Sequence, residues 1–156
     1  MTILGIDPGY DRVGIAVIEG KSLIHSECFL TSSDNDFYTR LKSIGLRIKE
    51  IIREYSPQIL AIESLFITKN HKTAMKVAEA RGVISYEATI AGMSIHEFSP
   101  PQIKVAVTGH GGSDKSQIIK IIPLLIKMKS KKALDDEYDA IAVAITCQAH
   151  LGSKLK

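Results

Sequence analysis

Two short apolar runs, each stopped by an acid, constrain this chain more than any other feature. Ile3-Leu4-Gly5-Ile6 ends on Asp7, and Ile59-Leu60-Ala61-Ile62 ends on Glu63. A four-residue run without polar alternation is too short for a helix. It reads as a strand covered on both faces, as in the centre of an α/β sheet. In open sheets of that class, ligands bind in the crevice beyond the strand ends. Carboxylates set one residue past two such strands can meet there. Asp7 also admits a plain reading as a turn former beside Pro8 and Gly9. Glu63 is harder to explain that way, because a buried, unpaired acid is costly.

The remaining segments fit an α/β plan. Val13–Glu19 follows the Pro8-Gly9 turn as the second arm of a hairpin, and Ser22–Leu30 reads as a third strand. Phe37, Leu41, Ile44, Ile48, Ile51, Ile52 and Tyr55 recur at spacings of three and four. They predict a helix capped by Asp34 and stopped at Ser56-Pro57. A second helix is expected from Lys72 to about Ala91, softened at Gly82. A strand at Ser94–Phe98 and a short helix over Gln102–Thr108 precede the Gly109–Gly112 loop. Ser113 is expected to cap a helix from Asp114 to about Lys129 that Pro123 kinks, and a last helix spans about Asp136 to His150. No repeat, linker or low-complexity tract divides the chain, so residues 1–156 are expected to form one domain.

Composition excludes more than it selects. A net charge of +3, from 20 Lys+Arg against 17 Asp+Glu, is too mild to imply nucleic acid by itself. Cys28 and Cys147 form no C-x-x-C pair, which removes a cysteine-built zinc site. The N-terminus lacks the pattern of an export signal, and the longest apolar tracts are too short to cross a bilayer. The expectation is a soluble, cytoplasmic protein with no membrane partner.

Asp136 and Asp139 lie three apart at the start of the last helix and so face one way. Favourable interaction with the helix dipole is a sufficient reason for either alone. Together with Asp7 and Glu63, however, they make four carboxylates that repel unless neutralised. An all-oxygen set suits Mg²⁺, with Mn²⁺ as a substitute. Two such ions about 3.5–4 Å apart can activate water and stabilise the leaving oxygen in phosphodiester cleavage.

Basic residues lie close to these acids. Lys69, Lys72 and Lys76 share one helical face, and Arg81 follows on the same segment; a solvated face and a phosphate-holding face are both open readings. Lys104 and Lys115 bracket the glycine loop, and the helix start beside Lys115 can offer N–H groups to a phosphate. Lys127, Lys129, Lys131 and Lys132 read equally as a DNA contact or a solubilising loop. Phe66, three residues past the catalytic strand, fits either the core or base stacking.

At this point the chain resembles the RuvC-type Holliday junction resolvases of bacteria, members of the ribonuclease H-like superfamily. The matching stretches are Gly5-Ile6-Asp7-Pro8-Gly9 with Gly14, Ala61-Ile62-Glu63-Ser64-Leu65-Phe66, Lys69-Asn70, Thr73-Ala74, Lys76 and Ala80-Arg81-Gly82. They continue with Pro101-Gln102-Ile103-Lys104, Gly109-His110-Gly111, Lys115-Ser116-Gln117 and Asp136-Glu137-Tyr138-Asp139-Ala140. The resemblance implies an α/β, ribonuclease H-like mixed sheet flanked by helices on both faces. It implies a homodimer that nicks four-way junction DNA symmetrically, with Asp7, Glu63, Asp136 and Asp139 holding Mg²⁺. It also implies that Phe66 touches unstacked DNA, that Lys104 and Lys115 act beside the cleaved phosphate, and that a branch-migration motor is the protein partner. Pro123, Ser113 and the short tail depart from the pattern without touching the acids.

Three other functions share some of these features. An actin-like phosphotransferase begins with a similar strand turn but needs two such domains. A non-catalytic junction-binding module would be marked by a lost acid, and all four are present. A nuclease acting on RNA–DNA hybrids would carry the same acids, so the substrate separates it.

Overall fold

The computed structural model describes residues 1–65, 71–128 and 135–153. Its strands are β1 (Thr2–Asp7), β2 (Arg12–Glu19), β3 (Ser22–Leu30), β4 (Ile59–Glu63) and β5 (Ser94–Phe98). Its helices are α1 (Phe37–Tyr55), α2 (His71–Ile90), α3 (Pro100–Thr108), α4 (Lys115–Leu125) and α5 (Asp135–Ser153). The strands form one five-stranded sheet in the order β3-β2-β1-β4-β5. β1–β2 and β2–β3 are antiparallel, while β1–β4 and β4–β5 are parallel. The two acid-terminated runs are thus neighbours at the centre, as their unbroken apolar character predicts.

The period of two along each strand divides the core into two layers. Leu4, Ile6, Leu60 and Ile62 face one way and pack with Ile44, Ile48 and Ile51 of α1 and Ala80, Ile84 and Ala88 of α2. Ile3, Ile59 and Ala61 face the other way, against α3, α4 and α5. Helices therefore cover both faces of a mixed sheet.

Two glycines let α5 lie directly on the sheet. A Cβ on Gly5 would stand 2.4 Å from the Ala140 carbonyl oxygen, and one on Gly14 would stand 2.1 Å from that of Asp136. Any side chain at either position would push the helix away. This close approach carries the first turn of α5 to the ends of β1 and β2.

Several local expectations are corrected. The α1 cap is Asp36 rather than Asp34, accepting the N–H groups of Tyr38 and Thr39 at 2.9 and 3.0 Å. α2 runs unbroken through Gly82. α3 begins at Pro100, because prolines are tolerated in the first turn, where N–H groups have no intrahelical partner. Asp114, not Ser113, caps α4. That helix ends at Leu125, two residues after Pro123, instead of near Lys129. The chain then joins the sheet edge: Lys127 N–H donates to Lys21 O at 2.7 Å, and Leu23 N–H donates to Lys127 O at 2.9 Å. Among the described residues, no helix is long and apolar enough to cross a membrane.

Candidate active site

The site grows out of one row of residues across the sheet. Gly5 pairs with Ala61 and Ile6 with Ile62, so Asp7 and Glu63 stand side by side one step beyond, on the α5 face. On the other side Asp7 pairs with Gly14, and Gly14 pairs with Cys28. Because Gly14 has no side chain, Asp136 of α5 settles over this row. Ser26 on β3 donates from Oγ to Oε2 of buried Glu137 at 2.7 Å, tying the first turn of α5 to the sheet.

Asp7, Glu63, Asp139, Lys104 and Lys115 line a single cleft of about 300 Å³, floored by Ile103, Ile118 and Ala142. Each lysine sits on a helix whose start is pinned. Ser99 N–H donates to Gln102 Oε1 at 2.8 Å, securing the beginning of α3. Asp114 and Gln117 bond reciprocally at 2.9 Å in each direction, securing α4. The carboxylate of Asp114 thus already occupies the α4 start, which leaves that N-terminus poorly suited to phosphate.

Two cations hold two of the acids. Lys115 Nζ donates to Asp139 Oδ2 at 2.7 Å and lies 3.7 Å from Asp135. Arg12 Nη1 lies 3.4 Å from Asp136 Oδ2, and the Cys28 thiol donates to that same oxygen at 3.5 Å. Among the described residues, no three acid, histidine or cysteine side chains already form a closed cage for an ion. Lys115 and Arg12 pair instead with Asp139 and Asp136.

Charge in the cleft is under-compensated. Burial, then the charges of Asp139, Glu63 and Asp136, push the Asp7 carboxyl up to about 7, against the opposing pull of Lys115. Burial and Asp139 raise Glu63 as well. Lys115 is raised despite its partial burial, through its hydrogen bond to Asp139 and the surrounding acids. Burial and the neighbouring Asp136 charge lift the Cys28 thiol to about 11, so it is not a thiolate at neutral pH. A crowd of oxygen donors with strained ionisation is the environment a hard divalent cation relieves. The residues present fit such an ion.

The other anticipated contacts divide. Lys76 Nζ sits 4.8 Å from the Tyr10 ring centre and 5.5 Å from that of Phe37, a cation held over two aromatic faces. Lys72 is exposed on α2. Arg81 is paired with Glu97 at 2.9 Å and is mostly buried. Phe66, Lys69, Lys129, Lys131 and Lys132 lie outside the described residues. Sequence reasoning missed Arg12, Cys28, Ser26 and Glu137. The available signal was the period of two: Arg12 shares a face with Gly14, and Gly14 is the residue opposite Asp7.

The sequence profile of the family described as "Crossover junction endodeoxyribonuclease RuvC" matches residues 3–147. The chain belongs to this family. It is 41% identical over 148 residues to the RuvC crossover junction endodeoxyribonuclease of Thermosipho melanesiensis, covering 92% of this chain and 94% of that one. It is 42% identical over 156 residues to that of Alkaliphilus metalliredigens, covering 97% and 94%. Among solved structures, T. thermophilus RuvC in complex with a Holliday junction substrate superposes with a TM-score of 0.93. That match has 28% identity and covers 99% of this chain and 96% of that one. The yeast mitochondrial Holliday junction resolvase Ydc2 shares the fold alone, with a TM-score of 0.66 at 12% identity, covering 98% and 82%. As a RuvC-family member the chain is a divalent-metal-dependent nuclease that resolves Holliday junctions.

Proposed function

We propose that this chain binds four-way junction DNA and resolves it as a homodimer, each subunit nicking one of two symmetric strands. Asp7, Glu63, Asp136 and Asp139 hold two Mg²⁺ ions, for which Mn²⁺ can substitute. The observation that carries this reading is the acidic cleft itself. Four carboxylates from three elements converge, Asp139 paired with Lys115 and Asp136 with Arg12. When bound, the ions supply an activated water and charge neutralisation at the leaving oxygen.

The protein's own groups then have distinct tasks. Asp7 and Glu63, fixed on adjacent central strands, present oxygen ligands with no rotation of the backbone available to them. Lys115 bridges α4 to Asp139, keeping α5 oriented, and with Lys104 provides positive charge beside the cleaved phosphate. The rigid cleft floor of Ile103, Ile118 and Ala142 limits water around the reacting atoms. Phe66 stacks on an unpaired base at the junction centre, with Lys69, Lys72 and Lys76 along the DNA path, while Arg81 is held on Glu97. Exposed Met75, Tyr86 and Ile90 on α2 support an interface between subunits. A branch-migration motor is the proposed protein partner, residues 1–156 act as one nuclease domain, and the cytoplasm is the compartment of action.

The test is cleavage of a synthetic four-way junction, with linear duplex and RNA–DNA hybrid controls, with and without Mg²⁺. Paired symmetric nicks in the junction alone, and only with metal, are expected. Binding without cutting would make the chain a junction-binding module, and cutting of the hybrid instead would overturn the substrate. In the same assay Phe66→Ala should slow cutting with little change in melting temperature. A large fall in melting temperature would make Phe66 a core residue.

A further inference from the structure

We infer that Arg12 is a phosphate-binding residue at the start of α5, held on Asp136 until a divalent cation takes over that carboxylate's charge. The inference rests on the cleft being the cutting centre proposed above.

Arg12 opens β2, two residues before Gly14 and on the same face of the sheet. Its side chain therefore rises on the sheet face that also carries Asp7, beside Asp136 of α5. The turn that carries it is bolted down. Thr31 Oγ1 donates to the carbonyls of Tyr10 and Asp11 at 2.7 and 3.2 Å, and Thr31 N–H donates to Asp11 O at 3.0 Å. Arg40 Nε donates to Thr31 Oγ1 at 2.8 Å, and its guanidinium also pairs with the Asp11 carboxylate. The turn is thus pinned through Tyr10 and Asp11, while the Arg12 side chain stays largely exposed.

The other paired arginines differ in kind. Arg40, Arg47 and Arg81 are 11, 24 and 17% exposed, with ion pairs at hydrogen-bonding distance. Arg12 is 61% exposed, and its pair with Asp136 spans 3.4 Å, well beyond the 2.7–2.9 Å of a strong guanidinium–carboxylate bond. That oxygen is shared with the Cys28 thiol. A loosely held, solvent-facing guanidinium beside a proposed metal ligand competes with any cation for Asp136. Once the charge of Asp136 is neutralised, Arg12 loses its attraction and feels repulsion from the same ion. It then turns outward, where the planar fork of donors matches two phosphate oxygens of an incoming strand. Metal and DNA binding are thereby coupled through one side chain: without metal Arg12 is spent on Asp136, and with metal it is available.

The experiment measures junction affinity by fluorescence anisotropy for the wild type, Arg12→Gln and Arg12→Lys, in EDTA and in Ca²⁺, across a salt series. In Ca²⁺, Arg12→Gln should weaken binding about tenfold and reduce the salt slope by about one, as expected for one lost phosphate contact. In EDTA the same change should be no more than about twofold, and Arg12→Lys should recover most of the affinity in Ca²⁺. Equal effects in both conditions, or none in either, would overturn the assignment. Melting curves check that the variants fold, which the exposure of Arg12 makes the expected result. Cutting by the wild type is followed alongside with Mg²⁺. A wild type that binds the junction but never cuts it would overturn the cleavage reading and leave the Arg12 contact measurable by the same titrations.

Discussion

The two faces of the sheet are built from the same strands and do different work. On the side of α1 and α2, Leu4, Ile6, Leu60 and Ile62 pack into an apolar layer. On the side of α5, the alternate positions begin as core at Ile3 and Ile59 and finish as chemistry at Asp7 and Glu63. A period of two thus assigns stability to one face and reactivity to the end of the other. The lesson is that the acids are rigid because their strands are buried on both faces, and reactive because the last residue of each strand emerges from that burial.

If this division is right, a small change at the reactive end should cost more activity than a large change on the opposite face. Gly14→Ala is the most damaging test. Its new methyl would collide with the Asp136 carbonyl, lifting the first turn of α5. Cutting should fall about 100-fold, as misplacement by roughly 1 Å can cause, together with a loss of about 1–3 kcal/mol from overpacking. Normal cutting by Gly14→Ala in a single-turnover assay would break the comparison. Ile48→Ala, on the fully buried side of α1, should instead cost about 2–5 kcal/mol in urea denaturation. Cutting per folded molecule should stay near wild type; a parallel loss would mean that the faces are not separable.

The smallest expected effect is a pH dependence of stability without metal. The folded Asp7 carboxyl titrates near 7, above its ordinary value of 3.8. The folded state therefore binds its proton more tightly than the unfolded chain does. The contribution is fully present below about pH 4 and is lost as pH rises through about 7. Melting temperatures in EDTA should decline across that window from this group, and saturating Mg²⁺ should remove the decline. A decline unchanged by Mg²⁺ would remove Asp7 from the metal set.

Much of this was legible in the chain itself, for a physical reason. Ile3–Asp7 and Ile59–Glu63 announce central strands because burial on both faces leaves no room for polar alternation. What they could not announce was non-local. Asp34 and Asp36 are equally good caps by type, and only the helix's start at Phe37 selects Asp36. The end of α4 depends on Lys127 finding the edge of β3, a contact about 100 residues away in sequence. Arg81 looked like a free cation until Glu97 on β5 was in place beside it. Arg12 and Cys28 entered the site through strand register, for which the period of two gives the face but not the partner.

Asp7→Asn, with junction binding, cutting and metal-free melting temperature measured on one preparation, decides whether the cleft is the cutting centre. Cutting should fall to background while binding is retained. The melting temperature in EDTA at pH 8 should rise, because a repelled, buried charge has been removed. Retained cutting, or a marked fall in melting temperature, would contradict it, since Asp7 would then be a structural acid and the cleft would not be the cutting centre.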